Sequence, residues 1–350
     1  LTVDWLHGVE VVCVDRDRRV RRVRVTKDSK SQEEQHLFWA HTGGGGGNFG
    51  VITRYLFKDL PPGPSEAWLA SIAWEWSDLL RNQDLFFQLI RNYGNFFERH
   101  SAPDSPYASL FALFHLTRQA AGQVIVTVQN AGPDRGPVDD FLSAMEAGVD
   151  KARVQSVAPH IAVGWHHYIP DSTSARSMPW LEVTQTLNGS GANQRGKYKS
   201  AYTKEGFPDR QLETIWNWLT VESAEYPANS QALLQVDSYG CKINEVAREA
   251  TAVPQRSSIL KLQYQTYWTA PEDDRVNLAW INGFYRDMYG DRGPMPDKVF
   301  DGCYVNYCDS DLKDWQTLYY GENYPRLQRA KAAWDPHDIF HHGQSIELPG

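Results

Sequence analysis

The pattern of apolar positions begins with two short β-branched runs, Val11-Val-Cys-Val14 and Val20 to Val25, the second with valines set among arginines. Asp15-Arg-Asp-Arg18 separates them as a polar turn, so the pair predicts a β-hairpin. Glu33 to Ala40 has the spacing of a short helix, and Val51 to Phe57 returns to strand alternation. Pro61-Pro-Gly-Pro64 breaks the pattern and places a domain boundary. Beyond it, Trp68 to Trp74 reads as a strand, and Leu79 to His100 carries apolar and aromatic residues at helical spacing. Ser109 to Leu116 and Gln123 to Gln129 predict an antiparallel pair around Ala120-Ala-Gly122. Val138 to Val149 predicts a helix started by Pro137, and Lys197 to Tyr202 an extended segment. Asp209 to Thr220 predicts a helix capped by Asp209. Strands over Ala232 to Tyr239 and Ile259 to Trp268 precede an aromatic-rich helix over Glu272 to Tyr289. After Pro294 and Pro296, Leu318 to Ala333 predicts one amphipathic helix. Val157 to Arg176 fits neither period.

Strands and helices in irregular succession, joined by hairpin-like links, predict an α+β fold rather than a doubly wound sheet. The 350 residues suit two domains. The breakers divide the chain into residues 1–62, 63–299 and 300–350. Apolar content of 41% and thirteen tryptophans support a substantial core. A net charge of −8 argues against nucleic acid as a partner, since phosphates call for a basic face. No apolar run is long enough to span a bilayer. Four cysteines in a chain this size do not make a disulfide framework, and Cys303 and Cys308 lie at no zinc spacing. The chain opens Leu1-Thr-Val-Asp-Trp5 with no signal pattern, as expected of a sequence that starts inside a domain.

The strongest chemical signal is His41-Thr-Gly-Gly-Gly-Gly-Gly-Asn-Phe-Gly50. Five consecutive glycines give free access to φ > 0 and let main chain approach a ligand closely. A helix–glycine turn–strand with outward amides can cradle a phosphate or a flat ring; the plainer reading is a tight connection. It is not a Walker loop, because no Gly-Lys-Ser/Thr follows, nor a dinucleotide fingerprint, because a strand follows where a helix should. His166-His167 suggests a metal, but neighbours on a strand point to opposite faces and make poor joint ligands.

Four separated stretches share one pattern: Trp39-Ala-His-Thr42 with Asn48-Phe-Gly-Val51 around the glycines; Lys261-Leu-Gln263 with Trp268; Tyr304-Val-Asn-Tyr307; and Lys331-Ala-Ala-Trp-Asp-Pro336 with Phe340 and Gln344-Ser-Ile346. Together they resemble the berberine-bridge-enzyme-like flavoprotein oxidases of the vanillyl-alcohol-oxidase superfamily. Among these, the resemblance is greatest to actinomycete oxidases of natural-product tailoring, such as the hexose oxidases of teicoplanin-type glycopeptides. It implies a split FAD-binding domain (residues 1–62 and 300–350) with an inserted substrate domain of antiparallel sheet backed by helices. It also implies FAD, often tethered through a His and a Cys. None of the eleven His or four Cys matches those attachment motifs, which are expected upstream of Leu1.

The implied chemistry is oxidation of a primary alcohol of a sugar, such as C6 of an N-acyl aminosugar on a glycopeptide, through the aldehyde to the acid with O2 as acceptor. A polyketide, anthracycline or alkaloid substrate, or a silent binding protein on the same fold, are the alternatives. In this reading Tyr304 faces the substrate as base, while Asn306 and Tyr307 contact the flavin. Both tyrosines read equally as core aromatics with satisfied hydroxyls. Lys261 and Gln263, two apart on a strand, share one face: Gln263 would hold the substrate hydroxyl and Lys261 favour a phenolate. Phe300 stands close to where related oxidases carry a tyrosine. Gly45, Gly46 and Gly47 would offer backbone amides to the cofactor, and Asn48 its side-chain amide. Phe49, Gly50 and Val51 would wall the adenine or ring side.

Overall fold

The computed structural model describes residues 1–149, 175–187 and 194–350. The His166-His167 pair and nearly all of the stretch 157–176 that fits neither period lie outside the described residues. The chain divides into two compact units, one of Leu1–Pro62, Ile243–Ser257 and Pro294–Gly350, the other of Gly63–Lys242 and Ser258–Gly293. The first break falls at the proline cluster. The return falls at Pro294 rather than 300, and the excursion 243–257, which pattern alone leaves inside the middle domain, belongs to the first unit.

The first unit contains a three-stranded antiparallel sheet in the order β2 (Val20–Thr26), β1 (Leu6–Val14), β3 (Val51–Phe57). Val9, Val11 and Cys13 of β1 point to one side and are buried, as the period of two requires. Helix α1 (Gln32–Ala40) packs against α9 (Tyr324–Trp334), and the Trp334 indole donates to Glu33 O at 3.0 Å. The single helix expected over 318–333 is in fact two: α8 (Trp315–Tyr320) ends at Gly321, and α9 starts with Pro325 in its first turn. Gly321 takes φ +49°, where a glycine is at no steric disadvantage, and proline suits a first turn because its missing N–H is not needed there.

The second unit is built on a seven-stranded antiparallel sheet, counted among the described residues. Its strands are β4 (Glu66–Glu75), β5 (Leu110–Thr117), β6 (Gln123–Ala131), β7 (Arg176–Pro179), β8 (Arg195–Thr203), β9 (Ala232–Ser238) and β10 (Leu260–Trp268), in the order β7-β4-β6-β5-β9-β10-β8. Its helices include one turn α2 (Trp76–Leu79), α3 (Gln83–His100), α4 (Gly136–Glu146), α5 (Trp180–Leu187), α6 (Asp209–Thr220) and α7 (Asp274–Tyr289). Strand β7 and helix α5 carried no sequence signal. Asn82 caps α3 by accepting the Asp84 N–H, and Arg99 and His100 sit at its negative end. Pro208, not Asp209, is the N-cap of α6, and Asp209 pairs with Arg91 at 2.8 Å.

Register sorts the sheet into two faces. Val126, Phe114, Val236 and Leu262 follow one another across β6, β5, β9 and β10 as one buried apolar row. Helices cover that face: the Tyr93 hydroxyl of α3 lies 2.9 Å from both Ala112 O and Val236 O, sharing its one hydrogen between them, and Phe284 of α7 meets Tyr264 edge-on at 4.9 Å. The next row is mostly polar: Ser71, Thr127, Asp237 and Lys261, interrupted by Leu113 of β5, with Gln235 and Gln263 beside it. A two-residue period therefore gives an apolar helix-packing face and a buried polar face on the same strands.

The first unit is locked by Lys331. Its side chain is fully buried, and Nζ lies 2.9 Å from Asn48 O, 2.7 Å from Phe340 O and 2.7 Å from Asp335 Oδ2, with Asp338 at 2.8 Å. Asp335, also fully buried, accepts the N–H groups of Ile339 and Phe340. Removing one partner of such a pair strands a charge, so Lys331→Met should lower unfolding free energy by about 3–5 kcal/mol. The exposed Arg81–Asp78 pair is equally short, yet Arg81→Met should cost about 0–1 kcal/mol. Denaturant unfolding of the two variants measures the contrast.

Candidate functional site

Helix α1 delivers the chain into the glycine turn. The Thr42 hydroxyl donates to Trp39 O at 2.6 Å and accepts the Ala252 N–H at 3.0 Å, while Gly44 N–H closes the turn on Ala40 O. Gly45 and Gly47 then take φ of +83° and +71°, the left-handed region that side chains resist. The Gly44 carbonyl accepts two bonds, from Asn48 Nδ2 at 2.9 Å and from the Tyr320 hydroxyl at 3.1 Å. Among the described residues, no protein acceptor takes the N–H of Gly45, Gly46 or Gly47. A Cβ built at Gly46 would meet nothing within 4 Å.

That open space is a cavity of about 440 Å³ within the first unit. Gly45, Gly46 and Asn48 form one side; Val305, Asn306, Cys308 and Ser310 a second. Tyr319 and Tyr320 of α8, with His342-Gly-Gln344, complete it. The glycine turn and the segment after residue 303, far apart in sequence, thus line one cavity. His342 Nε2 lies 3.3 Å from Gly46 O, and Gln344 Nε2 donates to Asp309 O at 2.9 Å. Burial pushes the phenol pKa values of Tyr319 and Tyr320 well up and that of Tyr324 to about 12, so all three stay neutral hydrogen-bonding groups at neutral pH.

Asn306 is in the cavity wall, and its Nδ2 donates to the Tyr304 hydroxyl at 2.8 Å. Tyr304 and Tyr307 are half-buried, edge-to-face at 4.9 Å across a turn closed by Tyr307 N–H on Tyr304 O, and neither is in the wall. Phe300 lies outside the wall too, in a small loop where its N–H donates to Asp297 Oδ1 at 2.7 Å. Gly47, Phe49, Gly50 and Val51 do not line the cavity. Phe49 is buried against the His41 ring, a Cβ on Gly50 would strike Val12 O, and Val51 is exposed on β3. Asn48 lines the cavity, but its amide is engaged on the protein: Oδ1 accepts Ile346 N–H at 2.8 Å while Nδ2 holds Gly44 O.

Lys261 and Gln263 stand on the polar face of the second unit. Lys261 pairs with the buried Asp237 at 2.7 Å, so its charge is already matched by a carboxylate. Gln263 is buried between Gln235 and Ser200 in register. Gln235 Nε2 donates to Asp237 Oδ1, and the Tyr267 hydroxyl donates to Gln265 Oε1 and lies 2.7 Å from the Tyr198 hydroxyl. Asp237, Gln235 and Tyr198 escaped the sequence reading; Gln235 and Asp237, two apart in an otherwise apolar strand, were the available signal. Tyr319 and Tyr320 had none, since their place depends on the α8–α9 break.

Comparison with known proteins bears on this arrangement. The family model "Berberine and berberine like" matches residues 303–347. The hexose oxidase of Chondrus crispus is 39% identical over 99% of this chain and 68% of its own length. The aclacinomycin-N/aclacinomycin-A oxidase of Streptomyces galilaeus is 35% identical over 100% of this chain and 64% of its length. The solved glycopeptide hexose oxidase DBV29, complexed with teicoplanin, superposes with a TM-score of 0.85 at 31% identity, over 99% of this chain and 70% of that one. The chain thus spans about two thirds of the length of these curated relatives.

The turn carries a pH dependence of its own. His41 is half-buried with Nδ1 2.7 Å from Leu37 O, and desolvation lowers its pKa, partly offset by that carbonyl. Below about pH 6.5 the unfolded chain gains a proton that the folded chain refuses, so stability falls on acidification, by up to about 1.4 kcal/mol per pH unit until the folded group titrates. Between pH 7.5 and 5.5, His41→Gln should lose less of its denaturation midpoint than the parent; an equal loss would exclude His41 as a source.

Proposed function

The chain belongs to the berberine-bridge-enzyme-like family of FAD-linked oxidases, and we propose that it forms part of the flavin site and a substrate-binding sheet of an oxidase acting on a sugar alcohol. The observation that carries this reading is the cavity of the first unit, walled by Gly45 and Gly46 beside three amides with no protein acceptor. Its volume of about 440 Å³ lies within the range of small-molecule sites, and its glycines leave room for close approach by a flat ring or a polar oxygen. These residues fit FAD. When bound, FAD supplies the hydride acceptor for alcohol oxidation.

The chain's own residues bind, orient and deprotonate. Gly45 and Gly46 offer N–H groups to an electronegative oxygen of the cofactor. Tyr304 takes the hydroxyl proton of the substrate, and Asn306 donates to the Tyr304 oxygen, a bond that strengthens as that oxygen gains charge. Gln263 and the polar face around it bind substrate hydroxyls, while Lys261 keeps Asp237 paired rather than serving the base. Two of the three relatives are named for a hexose, which favours a primary alcohol of a sugar oxidised through the aldehyde to the acid, with O2 as acceptor. An N-acyl aminosugar on a glycopeptide is the finer reading; an anthracycline-type substrate is the competing one, favoured by the aclacinomycin oxidase. A covalent flavin tether, through a His and a Cys outside this sequence, belongs to the same proposal.

The full-length polypeptide should carry a flavin absorbance band and form hydrogen peroxide from O2 with a hexose or a hexose-bearing glycopeptide; a colourless protein overturns the reading. Tyr304→Phe should lower kcat by about 10²–10⁴-fold with the flavin band retained. Gly46→Val fills the cavity rather than the core, and should fold while losing flavin absorbance; unchanged flavin content would place the cofactor elsewhere.

A further inference from the structure

We propose that Tyr320 is a positioning residue for the cofactor: with Asn48 it holds the Gly44 carbonyl, and this turns the following amides of the glycine turn outward to an electronegative ligand oxygen. The inference rests on the flavin reading above.

The peptide plane supplies the mechanism. In a trans peptide the C=O and the next N–H point in opposite directions. Gly44 O is held by the Tyr320 hydroxyl at 3.1 Å and Asn48 Nδ2 at 2.9 Å. Pinning the oxygen on that side therefore sends Gly45 N–H to the other, where no protein acceptor stands among the described residues. The left-handed φ at Gly45 and Gly47 carries the turn on with Gly46 facing open cavity. Successive amides of this kind form a concave site for a negatively polarised oxygen.

Tyr320 suits this task for reasons that packing alone does not supply. Its side chain is almost wholly buried, stacked on Tyr324 with centroids 6.0 Å apart and edge-on to Trp315. Phenylalanine would fill the same volume, whereas a buried hydroxyl is costly unless bonded. The Tyr320 oxygen would sit 2.7 Å from a Cβ at Gly45, so the hydroxyl also excludes any side chain there. Burial keeps the phenol protonated and hence a donor. Asn48 cannot orient the turn freely, because Ile346 N–H fixes its Oδ1 and Lys331 its carbonyl. The hydroxyl of Tyr320 is thus the contact on Gly44 that a single atom can remove.

The test is Tyr320→Phe in the full-length, flavin-bearing enzyme, with Tyr324→Phe as control. Tyr324 has a buried ring neighbour in common, but its hydroxyl bonds Glu347 and it is not in the cavity wall. The readouts are the flavin visible spectrum and the affinity of the flavin for sulfite, taken on the folded flavin-bearing fraction. Loss of one oriented donor set should shift the band and weaken sulfite binding about tenfold in Tyr320→Phe only. If Tyr320→Phe matches the parent and Tyr324→Phe, this inference is overturned and the flavin reading stands. If the parent itself holds no flavin, both fall.

Discussion

A fully buried lysine ammonium governs the first unit. Lys331 must direct its three N–H groups somewhere, and the acceptors around it are the carbonyl after the glycine turn, the carbonyl of Phe340 and the Asp335 and Asp338 carboxylates. Because an unmatched buried charge costs several kcal/mol, the three segments are held in one geometry or none. The glycine turn near residue 48 is thereby fixed to the C-terminal segment near residue 340, which a flexible glycine run would not achieve by itself.

That constraint lets a floppy sequence form a defined cavity. With Asn48 O on Lys331 and Asn48 Oδ1 on Ile346 N–H, the far end of the turn is immobile; Thr42 and Gly44 anchor its near end. Only the peptides between are left to present amides, and the hydroxyl of Tyr320 decides which way they face. The second unit solves a different problem with the same economy. Its strands carry apolar residues to one face for helix packing and amides, carboxylate and hydroxyls to the other, where Lys261 neutralises Asp237 and the glutamines bond one another. A hydrogen-bonded buried polar network of this kind is rigid.

The residues that departed from expectation did so for local reasons. Phe49 and Val51 follow the glycines directly, but one belongs to the core beneath the turn and the other to the outer side of β3. Lys261 has an acidic cross-strand partner, Asp237, that no sequence spacing reveals. Tyr307, expected against the flavin, shares a turn with Tyr304 in which Val305, Asn306 and Cys308 reach the cavity.

What the sequence determined by itself was the local structure and the family. Periods of two and 3.6 located most strands and helices, because those periods are imposed by backbone geometry within a few residues. The glycine run was visible as a contiguous demand for unusual backbone, and the Lys331-to-Ile346 stretch as part of the family resemblance; the burial of Lys331 was not visible. Tertiary structure decided the pairings: that 243–257 joins the first unit, that Tyr320 meets Gly44 across 276 residues, and that Gln235 stands beside Gln263. Such contacts depend on strand order and on where a helix breaks, and neither is written in the spacing of residues along one segment.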